Sequence, residues 1–153
     1  MHTISVENPA KHEKKSFKPS NWMISIKFIN QLALFNNVMM VVFGEQGSGK
    51  TTFGELLCSE VHPTIQSFKL EASTPFTEEA LMAKLEEACQ LTIGSTATFN
   101  ALIGKVNLQK KRTLIVIDNA HTIENEFLKK MLIELSNYEN NNFFHICLLS
   151  DYS

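Results

Sequence analysis

The stretch VVFGEQGSGKTTF, Val41 to Phe53, limits what this chain can fold into more than any other. A short unbroken apolar run ends in a loop that matches G-x-x-x-x-G-K-S/T from Gly44 to Thr51, and residues suited to a helix follow at once. Strand, glycine loop and helix in that order make a phosphate-cradling turn. The curl needs Gly44, Gly47 and Gly49, because several N–H groups must point inward at backbone angles closed to most side chains. Lys50 would then reach the outer phosphates of a nucleotide, Thr51 would offer its hydroxyl to Mg²⁺, and Thr52 could bond the innermost phosphate. The helix N-terminus adds partial positive charge. The binding candidates are Gly44, Glu45, Gln46, Gly47, Ser48, Gly49, Lys50, Thr51 and Thr52.

The rest of the chain reads as alternating helices and strands. Apolar residues Ile26, Ile29, Leu32, Ala33 and Leu34 recur at helical spacing, and Asn36-Asn37 supplies a stop before the strand VMMVVF. After the loop, KTTFGELLCSEV is a helix closed by Pro63, and TIQSFKLEA is a second strand. Thr77 is a good N-cap for a helix with Leu81, Met82, Leu85, Ala88 and Cys89 on one face, expected to end at Gly94. A further helix is expected over Ser95 to Leu108, then the strand TLIVID, the amphipathic helix NEFLKKMLIELSNY and the strand FFHICLLS. Continuous apolar strands between helices imply a three-layer α/β/α sandwich with a parallel sheet. Residues 1–21 read as a polar N-terminal arm too poor in apolar residues to offset its ordering entropy, and 22–153 as the nucleotide-binding domain.

Asp118 ends the strand TLIVID. In an open parallel sheet the C-terminal strand ends converge on the ligand crevice, so Asp118 is expected to meet the loop. There it would hold Mg²⁺ through water while Thr51 ligates the ion directly; the alternative is a carboxylate that only caps the next helix. The following residue is Asn119, whose amide can orient a water but cannot take its proton. General-base help worth roughly 10²–10⁴-fold is thus missing at this position. Lys50, Asp118 and Asn119 are the catalytic candidates, with Thr51 and Asp118 as metal ligands and slow turnover as the expectation. Glu45, Glu124 and Glu126 are either substitute carboxylates or solvated charges. His121 is a site sensor or a polar helix-start residue, Ser150 a γ-phosphate sensor if its strand adjoins the loop strand, and His145 a satisfied strand residue.

Composition narrows the partners. A chain of 153 residues with 44% hydrophobic content supports one domain with a core. Net charge is −2, and Arg112 is the one arginine among 14 basic residues, so a broad nucleic-acid surface is not indicated. Cys58, Cys89 and Cys147 are few, distant and set in apolar segments, as buried thiols in a reducing compartment would be. Met1 to Ser20 has no signal-peptide core, and Met23 to Phe43 is interrupted by Lys27, Asn30, Gln31, Asn36 and Asn37. The chain is therefore expected to be cytoplasmic and without a membrane span, though it could be the cytoplasmic part of a membrane-associated protein.

With VVFGEQGSGKTTF, RTLIVIDNAHTIENEFLKKMLIELSN and FFHICLLSD, the chain resembles bacterial P-loop ATPases of the AAA+/ASCE group, most of all the ExeA and DamX type. Those relatives read D-E-A-H or D-D-A-H where this chain has Asp118, Asn119, Ala120 and His121. The resemblance implies ATP with Mg²⁺ as cofactors, strand order 5-1-4-3-2, and assembly in which a neighbour supplies an arginine finger. It also implies a fifth strand and a helical lid after the last strand here, so the chain reads as truncated after the fourth strand. Arg112 stands at the wrong end of its strand to act on its own subunit's phosphates. The function implied is a regulatory ATPase whose nucleotide state controls a protein partner, or its own association, in envelope, division or secretion machinery. A DNA-linked ATPase of helicase-loader type is the alternative, with KVNLQKKR as its basic cluster, and a small-molecule kinase the third. No N-K-x-D guanine-reading tetrapeptide occurs.

Overall fold

The computed structural model describes residues 2–6, 20–35, 39–44, 49–72, 77–91, 98–138 and 141–151. Along the chain run β1 (His2–Val6), α1 (Ser20–Phe35), β2 (Met39–Gly44), α2 (Lys50–Ser59), β3 (Ile65–Glu71), α3 (Glu78–Cys89) and α4 (Phe99–Gln109). Then come β4 (Arg112–Asp118), a 3₁₀ turn (Ala120–Thr122), α5 (Asn125–Asn137) and β5 (Phe144–Asp151). The five strands form one parallel sheet in the order β1-β2-β5-β4-β3. From β2 onward, four strands follow the order that the resemblance implied. The edge place beside β2, where that order puts a strand from further along the chain, is taken by β1. Where the sequence suggests only a polar arm, His2–Val6 is paired in parallel with Met40–Gly44.

Both faces of the sheet are covered, as parallel sheets require. Because side chains alternate along a strand, each central strand feeds two cores. Leu114 and Val116 of β4, Cys147 and Leu149 of β5 and Met40 and Val42 of β2 pack with Ile26 and Ile29 of α1 and Phe53 and Leu57 of α2. Ile115, Ile117, Phe144, Ile146 and Leu148 face the other way, into a core shared with α3, α4 and α5. Fully burying one such side chain stabilises by about 1.5–3 kcal/mol. Gly54 lets α2 lie close on the sheet: an added Cβ would sit 2.6 Å from Leu149 Cδ1.

The helix ends mostly follow local chemistry. Thr77 and Thr98 cap α3 and α4, accepting from the Ala80 and Ala101 amides at 3.1 Å each. The α3 end differs from expectation: it closes at Cys89, with Gln90 left-handed at φ 55°, and the Leu91 amide donates to the Glu86 carbonyl at 2.9 Å. Gly94 and the expected start of the next helix at Ser95 lie outside the described residues.

At the N-terminal end of the sheet, polar side chains tie strands to helices. Asn107 donates to the Ile103 carbonyl and to Asn141 Oδ1, and accepts from the Asn142 and Phe143 amides. Asn141, fully buried, bonds both the amide and the carbonyl of Phe144. Arg112 donates to the Ala33 and Asn142 carbonyls at 3.2 and 2.7 Å, with its guanidinium over the Phe143 ring.

Candidate functional site

The opposite end of the sheet gathers Lys50, Thr51, Thr52, Asp118 and Asn119. Gly49, in left-handed conformation at φ 95°, turns the chain into α2, which has no side-chain cap and no acidic residue in its first turn. Its leading amides are thus oriented for an anion, with the helix dipole behind them. Lys50 is buried at 8% exposure, while Thr51 and Thr52 are exposed. Gly44 ends β2; Glu45, Gln46, Gly47 and Ser48 lie outside the described residues.

Asp118 ends β4, 4% exposed. The Thr51 hydroxyl donates to its Oδ2 at 2.7 Å, and the Asn119 amide donates to its Oδ1 at 2.9 Å. The structure therefore brings the two expected metal ligands into contact across 67 residues of chain. A hydroxyl and a carboxylate oxygen are hard donors that suit Mg²⁺, which keeps several waters and takes the rest of its shell from phosphate. Among the described residues no group of three or more His, Cys, Asp or Glu could hold a metal by itself. Lys69 extends from β3 to the same Oδ2 at 3.9 Å and to Glu55 of α2 at 3.6 Å.

Asn119 adopts the left-handed conformation, φ 57° and ψ 37°, which asparagine tolerates better than most residues. Its side-chain amide donates to Glu71 Oε1 at 3.0 Å. Glu71 ends β3 as the register partner of Asp118, and no property of its local sequence singled it out. The signal available was a carboxylate at the C-terminal end of a strand; what was missing was which strand lies beside Asp118.

Other candidates are placed more plainly. Ser150 is nearly buried and paired in register with Phe43 of β2, so its strand does adjoin the loop strand. His121 is exposed in the 3₁₀ turn after Asn119. Glu124 lies at the start of α5 and lines a groove with Glu78, Glu79 and Glu86 of α3; Glu126 is exposed in the first turn of α5. Arg112 is at the other end of the sheet, its guanidinium held by carbonyls. His145 is fully buried, and its ring makes no more than a weak contact with the Asn142 backbone, less than a satisfied strand histidine would have. Burial and then the Arg112 guanidinium push its pKa down to about 4. Burial raises the Cys89 thiol to about 11 and Cys147 to about 12, so neither is a nucleophile; Cys58 is only half-buried.

Residues 34–149 match a family model described as "AAA domain". No curated protein matches the sequence. Among solved structures, the chain is similar to the Aeropyrum pernix ORC2 protein, determined as ADPNP-ADP complexes, with a TM-score of 0.71 and 14% identity over 95% of this chain and 45% of that one. It is also similar to C. elegans PCH-2, with a TM-score of 0.54 and 13% identity over 89% and 39%. At such identities the likeness is one of fold, and the chain spans less than half the length of either.

Proposed function

The chain belongs to the AAA domain family, and from that premise we propose that it is a Mg-ATP-binding regulatory domain with slow or partner-dependent hydrolysis. The observation that carries this reading is the 2.7 Å bond between Thr51 and Asp118. It joins the head of the phosphate-loop helix to the acidic strand end, the pair of oxygens a nucleotide-bound Mg²⁺ requires. Lys50 would hold the outer phosphates, and the α2 amides would take the charge between them. Bound Mg²⁺ would neutralise charge on the β- and γ-phosphates. Thr51, released from Asp118, would turn its oxygen to the ion.

Nucleotide state would act on a partner by favouring one arrangement of the strand ends over another. The ExeA and DamX resemblance suggests a partner in bacterial envelope, division or secretion machinery, and a cytoplasmic location for this domain. No helix among the described residues is long and apolar enough to cross a membrane. The DNA-linked alternative has less support, because its basic cluster runs from α4 into the start of β4, at the far end of the strand from Asp118.

Calorimetry with Mg-ATP on the purified chain tests the proposal. Wild type is expected to bind, and Lys50→Ala to lose affinity by about 100-fold, as when a buried charge partner of phosphate is removed. Equal affinity in both proteins, or no binding by wild type, overturns it.

A further inference from the structure

The site described above binds a nucleotide without offering an obvious proton acceptor. Asn119, in the position where the resemblance expects a carboxylate, carries an amide that can donate and accept hydrogen bonds but cannot take up a proton from water. Of the carboxylates weighed from sequence, Glu124 faces the α3 groove and Glu126 lies on α5. Glu55, on α2, is 3.6 Å from Lys69 and well exposed. Glu71, itself exposed, differs from all of these in its partners. It is opposite Asp118 in the β3–β4 register, and it accepts the Asn119 amide at 3.0 Å.

Strand alternation decides which way it faces. Along β3, Ser67 bonds the Cys58 carbonyl of α2 and Lys69 reaches Glu55 of α2 and Asp118. Glu71 is the next residue on that face, the face that also carries Asp118 toward Thr51. Neighbouring strands stand about 4.8 Å apart, so its carboxylate lies one strand beyond Asp118 at the same end of the sheet.

We propose that Glu71 is the general base of this site, resting on the reading of the site as one for Mg-ATP, and that Asn119 is its positioning residue. The usual chemistry is then divided between two strands. The amide on β4 holds one carboxylate oxygen, and the other oxygen receives the proton. A water oxygen bonds to the γ-phosphorus while the bond from that phosphorus to the β–γ bridging oxygen breaks. The bridging oxygen leaves with the electron pair as part of ADP. The water's proton passes to Glu71, which returns it to the phosphate product or to solvent.

The test uses the full chain with Mg-ATP, measuring affinity by calorimetry and chemistry by single-turnover hydrolysis, with circular dichroism on each variant. Glu71→Gln is expected to bind ATP as wild type does and to lose hydrolysis by about 100-fold or more. Glu71→Asp keeps a carboxylate drawn back by one methylene and is expected to retain more turnover than Glu71→Gln, even if the glutamine variant folds poorly. Asn119→Ala is expected to slow hydrolysis by about tenfold with affinity kept, and to add nothing in a Glu71→Gln background. Hydrolysis by Glu71→Gln close to the wild-type rate overturns the role of Glu71, as does a wild type that binds ATP and never turns it over. Failure of wild type to bind ATP is a different result: it overturns the nucleotide reading, and this role with it.

Discussion

The two ends of the sheet use polar residues in opposite ways. At the N-terminal end, Asn107, Asn141 and Arg112 are bonded largely to backbone groups, which have no other use once the strands are paired. At the C-terminal end the contacts run mainly from side chain to side chain: Thr51 to Asp118, Lys69 to Asp118 and Glu55, Asn119 to Glu71. A bond to backbone satisfies a group that folding would otherwise strand, so removing it costs stability. Side-chain pairs at a partly exposed rim can be traded for a ligand's oxygens at little cost to the fold. The contrast separates a cap from a site more clearly than charge or burial does, since buried polar residues occur at both ends.

Three substitutions put that contrast to the test. The largest effect is expected at the site end: Asp118→Asn keeps the shape and removes the charge, and should lower Mg-dependent hydrolysis on the order of 10³-fold. Its urea-unfolding midpoint should hardly move; a stability loss that outweighs the activity loss would erase the distinction. Next is pH at the other end. His145 stays neutral in the folded chain down to about 4, whereas an unfolded histidine protonates near 6.5. Between those values the unfolded state binds more protons, so stability is full above pH 6.5 and falls as pH drops toward 4, by about 3 kcal/mol in all. Denaturation across that range should show the slope in wild type and a flatter one in His145→Leu; parallel curves would remove His145 from the account. The smallest is Asn141→Ala, which gives up the bonds to Asn107 and Phe144 and should cost about 2 kcal/mol with ATP affinity unchanged. An affinity loss there would mean the two ends are coupled.

Much of this was legible from the chain alone, for a physical reason. The loop motif, the strand run before it and the aspartate at the end of TLIVID are each local patterns, and convergence of parallel strand ends supplies their meeting. What escaped reading was set by partners far away in sequence. His2–Val6 is five residues among polar neighbours, and it becomes a strand because β2 presents an edge to it. Glu71 matters through register with Asp118, which no short-range pattern encodes. Gln90 ends α3 in a left-handed turn where sequence favoured the later glycine, because the turn's own hydrogen bonds outweigh the modest cost at a residue with a side chain. His145 looked like any polar residue in a strand until both faces of the sheet were seen to be covered.

The strand order also dictates when the sheet can close. β1 and β2 pair with α1 between them in the chain, and β3 and β4 pair with α3 and α4 between them. β5, last of the described strands, is the piece that lies between β2 and β4, pairing Met39 with Ile146 and Thr113 with Phe144. Two halves of low contact order are thus joined by one late, long-range insertion. The phosphate loop belongs to one half and Asp118 to the other. A nascent chain that has not yet delivered β5 can already lay α2 on β3 through Ser67 and Lys69, but it lacks the strand that fixes how far the end of β2 stands from Asp118.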